Sequence, residues 1–303
     1  MSNQHGWSGT NENDRTDLYA LEVLGLSKHY GDFSLQDVSF QLPSGYIMGL
    51  IGPNGAGKTT TIKAILNMIH YPTGQIRLFG SDPIETDSNT DGQIGVVMDN
   101  PYYVGDWTVT DVEKALSPFY QHWNTDRYED LLRQFSIERK KKVNELSRGM
   151  KVKLMIAVAL SHEAKMLILD EPTSGLDPVA RDELCDLLAQ FVAQEDRSVL
   201  FSTHITADLE KIADYITFLL NGQIAFTGKK EDLLQKYRVV KGDYDVLSPE
   251  QKQSMFGAKV QNSRFEGLVE TALASQLPQS LQLEPAAIDQ IIIYLNHGVG
   301  LHE

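Results

Sequence analysis

The segment Gly52-Pro53-Asn54-Gly55-Ala56-Gly57-Lys58-Thr59 has the spacing G-x-x-x-x-G-K-[ST]. Glycines at such positions let backbone N–H groups wrap closely around phosphate oxygens, the lysine meets the charge of the outer phosphates, and the hydroxyl after it is a ligand for Mg²⁺. Asn54, Gly55, Ala56, Gly57, Lys58, Thr59 and Thr60 are therefore the candidate phosphate-binding residues. A second feature is Met166-Leu167-Ile168-Leu169-Asp170-Glu171-Pro172, an apolar run that ends in two carboxylates. Ligands sit at strand ends in open α/β sheets, so Asp170 is placed to hold Mg²⁺, and Glu171, pointing elsewhere, to orient an attacking water. Alone, the octapeptide is also a glycine turn and the Asp-Glu pair also a solvated loop. Together they read as nucleotide chemistry.

The elements around these residues follow from the apolar pattern. Residues 46–51 form a short apolar run before the glycine segment, and residues 60–69 show helical spacing after it, ended by Pro72 and Gly74. This is strand, glycine-rich loop, helix, and the helix dipole adds to the attraction for phosphate. Further apolar runs at 94–98, 166–169, 199–202 and 215–220, separated by helical stretches, predict an α/β core with a largely parallel sheet covered by helices. Residues 18–30 and 33–42 alternate as a hairpin or meander broken by Pro43-Ser44-Gly45. Residues 108–162 read as wholly helical, with a capping box at Thr110 and Glu113, a polar helix over 126–135 and another helix opening at Ser147. Beyond residue 230 the spacing predicts a strand over 237–241 and an amphipathic helix presenting Ile288, Ile291, Ile292 and Leu295. The expected organisation is a mobile polar leader over 1–17, one large domain over 18–235 with a helical insert at about 104–162, and a small domain over 236–303.

Composition narrows the classes. The 303 residues carry 27 Lys plus Arg against 41 Asp plus Glu, a net charge of −14, which offers no footprint for a nucleic acid. Cys185 is the single cysteine, so no disulfide forms within the chain, and the cytoplasm is the default compartment. The longest apolar stretches fall far short of the ~18 to 20 residues that span a bilayer, so a partner supplies any membrane passage.

Four more segments, in the same order along the chain, complete a pattern. The chain resembles the nucleotide-binding subunit of an ABC transporter over roughly residues 18–235. Leu146-Ser147-Arg148-Gly149-Met150 is similar to the family signature LSGGQ, Ser174-Gly175-Leu176-Asp177 to its D-loop, His204 to its switch histidine and Tyr30 to its adenine-stacking aromatic. The resemblance implies a P-loop NTPase core with an antiparallel β subdomain and a helical insert, here joined by a small α+β C-terminal domain. It further implies ATP and Mg²⁺ as ligands, with Glu171, His204 and Lys58 catalytic and Thr59 and Asp170 at the metal. Two copies would pack head to tail, Ser147, Gly149 and Met150 of one reaching the γ-phosphate held by the other's Lys58. A separately encoded transmembrane permease would be the second partner, placing the chain on the cytoplasmic face of the cell membrane.

Two departures stand out. Arg148 and Met150 replace the usual glycine and glutamine of the signature, and Asp99 stands where a glutamine normally approaches the metal. Asp99 is expected to reach Mg²⁺ through a water, or to couple weakly. The adjoining loop carries Tyr102, Tyr103 and Trp107, which read either as a surface for the membrane subunit or as local core. Within that family, the separate membrane subunit, the signature variant and the short C-terminal extension resemble those of bacterial exporter ATPases for peptides, antibiotics or toxins, and the resemblance implies export. The alternatives are a soluble ATPase of the same family and an ATP-switched regulatory subunit.

Overall fold

The computed structural model describes residues 19–82, 92–100, 102–194, 196–298 and 301–302, so the leader expected over 1–17 lies outside the described residues. In chain order the elements are β1 (Tyr19–Tyr30), β2 (Phe33–Pro43), β3 (Ile47–Ile51), α1 (Lys58–Ile65), β4 (Thr73–Leu78), β5 (Ile94–Val97), α2 (Val109–Leu116), α3 (Thr125–Gln134), α4 (Arg148–Ala159), β6 (Met166–Asp170), α5 (Pro178–Val192), β7 (Ser198–Thr203), α6 (Thr206–Ile212), β8 (Tyr215–Leu220) and β9 (Gln223–Lys229). They continue with α7 (Lys230–Lys236), β10 (Tyr237–Asp243), α8 (Pro249–Gln253), β11 (Phe256–Gln261), β12 (Arg264–Glu270), α9 (Thr271–Ala274), β13 (Gln282–Pro285), α10 (Ile288–His297) and β14 (Leu301–His302).

The central sheet has the order β5-β6-β7-β3-β8-β9, parallel except for β9. Both of its faces are covered, which is why its strands read as unbroken apolar runs. Along β6, Met166 and Ile168 point to a layer shared with α1 and the antiparallel sheet β2-β1-β4, while Leu167 and Leu169 face α4 and α5. The resulting α/β architecture, with its antiparallel β subdomain, is the one expected. Strands β4 and β9 are additions to the expected set. The short helix α1 ends at Ile65, earlier than its spacing suggests, because Leu66 and Asn67 close a turn on Ala64 and Ile62.

The helical insert is less helical than its sequence reads. After α2, Pro118 opens a short 3-10 turn, and residues 138–142 run as an irregular segment that bridges back from Lys142 to Thr108. The capping box also sits two residues earlier than expected, on Thr108 and Asp111. Glu113 is drawn away instead by the Arg139 guanidinium, and Thr110 Oγ1 donates to the Arg139 carbonyl. Opposite charge within reach outcompetes the local cap.

The C-terminal residues form a sheet ordered β13-β10-β12-β11-β14. One face packs Val240, Met255, Phe265, Val269 and Leu281 into a small core of its own. The other face joins the main core through Tyr237, Val239 and Leu268, together with Ile288, Ile291, Tyr294 and Leu295 of α10. Ile292 is partly buried there and Ile293 is exposed. No helix among the described residues is long and apolar enough to cross a membrane.

Cys185 is buried in α5, and desolvation, reinforced by the Asp208 charge, pushes its thiol up to about 11. At pH 8 its thiolate fraction is then roughly a hundredfold or more below that of an ordinary thiol of pKa about 8.5. Labelling by iodoacetamide at that pH is expected to be slow in the folded chain and fast in denaturant. Equal rates would show the helix face to be open.

Candidate active site

Strand β3 is buried along all its residues and delivers the chain to Gly52, where a Cβ would stand 2.2 Å from the Leu219 carbonyl oxygen of β8. Only glycine permits that approach. Gly55 (φ +81°) and Gly57 (φ +109°) then take the left-handed conformation, and Gly57 precedes α1 without any side-chain cap on that helix. A Cβ on Gly57 would also meet Leu35 of β2 at 2.5 Å, so the antiparallel sheet shapes the loop from outside. Asn54 and Gly55 are exposed at its tip, and Thr60 is half-buried on α1.

Lys58 is 6% exposed, and its ammonium donates to the carbonyls of Gly52 (2.8 Å) and Pro53 (3.4 Å) and pairs with Glu171 Oε1 at 3.3 Å. Its neighbour Thr59 donates through Oγ1 to Asp170 Oδ2 at 2.8 Å. Buried Asp170 accepts a second bond, from Ser202 Oγ at 2.6 Å, and the same hydroxyl accepts from the Glu171 N–H at 2.9 Å. Glu171 has φ +50°, an uncommon conformation for a residue with a side chain, and this turns it off the strand line. Its Oε2 meets His204 Nδ1 at 2.7 Å. The ends of β3, β6 and β7 thus gather Lys58, Thr59, Asp170, Glu171 and His204 into one network.

Other candidates stand apart from it. Ser147 caps α4 by accepting from the Met150 N–H at 3.2 Å, and Gly149 packs closely on Leu176. No hydrogen bond or ion pair among the described residues joins Ser147, Gly149 or Met150 to Lys58 of the same chain. Tyr30, at the end of β1, is 44% exposed, with the Lys28 ammonium 4.9 Å from its ring centre. Asp99 is held by Arg148, whose Nη2 lies 2.6 Å from its Oδ1. The structure therefore directs this carboxylate to the signature residue, where the sequence suggests the metal.

The aromatic loop divides. Tyr102 is 70% exposed, whereas Tyr103 and Trp107 pack against the core of the helical insert, and burial pushes the Tyr103 phenol well above its usual range. A surface made of all three rings is thus corrected to Tyr102 alone; Pro101, between Asn100 and Tyr102, lies outside the described residues.

Sequence reasoning missed Ser202 and Asp208. Ser202 sits inside an apolar strand and reads as core. Asp208 is 2% exposed on α6, accepts from Thr173 Oγ1 (2.6 Å) and Thr203 Oγ1 (3.4 Å), and faces Arg181 Nε at 3.9 Å. Burial raises its carboxyl despite these partners. It ties the loop after β6 to the end of β7, which carries His204. In the neighbouring loop, Asp177 caps α5 by accepting from the N–H groups of Val179 and Ala180, and those bonds hold its carboxyl below the usual range.

The ABC transporter family matches residues 35–174. The bacitracin transport ATP-binding protein BcrA of Enterococcus faecalis is 31% identical over 209 residues, 68% of each chain. The chain belongs to the ABC transporter ATP-binding family. The lantibiotic transport ATP-binding protein SrtF of Streptococcus pyogenes is 32% identical over 67% of this ABC ATPase and 88% of its own length. A solved structure described as the ATP-binding subunit of an ABC transporter is 32% identical and superposes with a TM-score of 0.64, covering 71% of the chain and 91% of its own.

Ser202→Ala removes the donor to buried Asp170 and the acceptor for the Glu171 N–H together. It is expected to cost about 1–3 kcal/mol of stability in urea titration and to lower kcat at least about tenfold with the fold retained. Unchanged turnover would show that the hydroxyl does not set the carboxylates.

Proposed function

We propose that this ABC ATPase drives a separately encoded membrane subunit of an exporter for peptides, antibiotics or toxins, and that it works as a head-to-tail pair of identical copies. The observation that carries the catalytic part is the double engagement of Glu171, on Lys58 through one oxygen and on His204 through the other. The relatives named for bacitracin and lantibiotic transport support cargo of that kind.

The residues present suit ATP with Mg²⁺. Thr59 Oγ1 and the buried Asp170 carboxylate are oxygen donors held 2.8 Å apart, the hard donor set that Mg²⁺ takes. When bound there, the ion supplies neutralisation of the charge that builds on the transferring phosphate. Lys58 is the cation for the outer phosphates, and in exchanging the Glu171 carboxylate for them it frees that carboxylate to orient a water. Glu171 then accepts the proton of that water as the water oxygen bonds to the γ-phosphorus and the bond from that phosphorus to the β-phosphate oxygen breaks, ADP leaving, and His204 holds the carboxylate by its second oxygen. Tyr30 offers an exposed ring face to the adenine.

The separation of Ser147, Gly149 and Met150 from Lys58 supports the paired arrangement. The opening turn of α4 presents N–H groups and a positive dipole end for which a second copy's γ-phosphate is a fitting partner. Hydrolysis would remove that contact and release the pair. Exposed Tyr102, on the loop leading to the helical insert, is the residue offered to the membrane subunit.

The experiment is ATP turnover of the purified chain beside Glu171→Gln, with size-exclusion chromatography in ATP and Mg²⁺. Glu171→Gln is expected to lose at least about a hundredfold in kcat and to accumulate as an ATP-held dimer. Lys58→Ala is expected to abolish nucleotide binding. Turnover that survives Glu171→Gln would remove this residue from the mechanism. For the membrane side, Tyr102→Ala should weaken recovery of the permease from solubilised membranes while ATP binding stays intact; undiminished recovery would take Tyr102 out of that surface.

A further inference from the structure

Arg148 is the first residue of α4, where a cation faces the positive end of the helix dipole. It is nonetheless held there by partners from outside the helical insert. Its Nη2 lies 2.6 Å from Asp99 Oδ1, 49 residues away, and 3.4 Å from Ser174 Oγ. Its stem lies over Gly175, where a Cβ would come within 3.1 Å of Arg148 Cδ. Gly175 has φ +76° and brings bare backbone to that contact. One side chain therefore joins the start of α4 to two loops of the core, those that leave β5 and β6 at the end of the sheet carrying Asp170 and Glu171.

We propose that the Arg148–Asp99 ion pair is a positioning brace, which fixes the Ser147–Gly149 end of α4 at the angle a second copy's nucleotide must meet. Asp99 acts through Arg148 and not on the metal. Two of the three residues that depart from the family pattern, Arg148 and Asp99, are thus one interaction: the acid supplies the counter-charge that a cation at the first turn of α4 requires. The proposal rests on the head-to-tail pairing above. Both side chains are about half exposed, so the pair contributes little to global stability. Its effect lies in orientation, where a displacement of one ångström costs up to about a hundredfold in rate.

The test is a double-mutant cycle in the full chain carrying Glu171→Gln, comparing the parent with Asp99→Asn, Arg148→Gln and the double variant. Two quantities are read: binding of a fluorescent ATP analogue to the monomer, and the ATP concentration at which half the chain sediments as dimer in Mg²⁺. Analogue binding and melting temperature are expected to be the same in all four. Each single variant should raise the ATP needed for dimerisation about tenfold, and the double variant should be no worse than either single. Added salt should weaken dimerisation of the parent more than that of the double variant, since it screens the pair. Additive losses, no loss, or a loss confined to Asp99→Asn would overturn the brace, the last by showing Asp99 to act alone. A parent that binds the analogue yet stays monomeric would overturn the head-to-tail reading and the brace with it, whereas a dimerising parent with indifferent variants overturns the brace alone.

Discussion

A buried ammonium is the constraint around which this molecule is arranged. Taking the Lys58 charge out of water costs several kcal/mol or more unless it is paired and hydrogen-bonded, and at 6% exposure it is nearly out of water. The carbonyls of Gly52 and Pro53 and the Glu171 carboxylate supply the compensation. Those partners come from different strands, so the pairing requires the order β6-β7-β3 in the sheet. It also requires Glu171 to leave its strand at φ +50°, a conformation that costs energy and is maintained by the Ser202 bond to its N–H. An arriving phosphate could replace the carboxylate as counter-charge, and in the proposed mechanism the strained backbone and the ion pair together hold Glu171 ready to act as general base.

The antiparallel layer and the central sheet serve the same geometry. The antiparallel sheet presses Leu35 and Phe33 against Gly57, while the Leu219 carbonyl of β8, within the central sheet, leaves no room for a Cβ on Gly52. A loop so confined has little freedom left, and in the proposed mechanism its N–H groups need little reorganisation to meet phosphate. Preorganised dipoles of this kind are worth more than flexible ones because no reorganisation remains to be made.

Much of this was legible in the residues. The glycine segment, the apolar strand ending in Asp170 and Glu171, and the parallel core follow from period and composition, since a strand covered on both faces must be apolar throughout. Contacts between distant segments were not legible. Ser202 looks like one more core position until β6 is seen beside β7, and Asp208 looks like a surface acid of a short helix. Thr110 and Glu113 have the spacing of a capping box, yet Arg139, far along the chain, takes Glu113 and the box forms on Thr108 and Asp111. Tyr103 and Trp107 could not be told from Tyr102 by type, as burial of an aromatic depends on what folds over it. Strands β11, β12 and β13 carry charged residues along their edges, among them Lys259, Glu266 and Glu284, which blurs any alternation.

The C-terminal sheet has a bearing on the site that its own sequence does not reveal. Helix α6 follows His204 and carries Asp208, yet it is only seven residues long. A helix of that length has no stability of its own in water, so neighbours decide where it lies. Leu209 and Ile212 share a core with residues of α5 and with Ile288, Ile291 and Leu295 of α10. The C-terminal residues therefore form one wall of the seat in which α6 rests. Since α6 begins two residues after His204 and anchors Thr173 and Thr203 through Asp208, the position of the histidine on Glu171 depends on packing that originates at the far end of the chain.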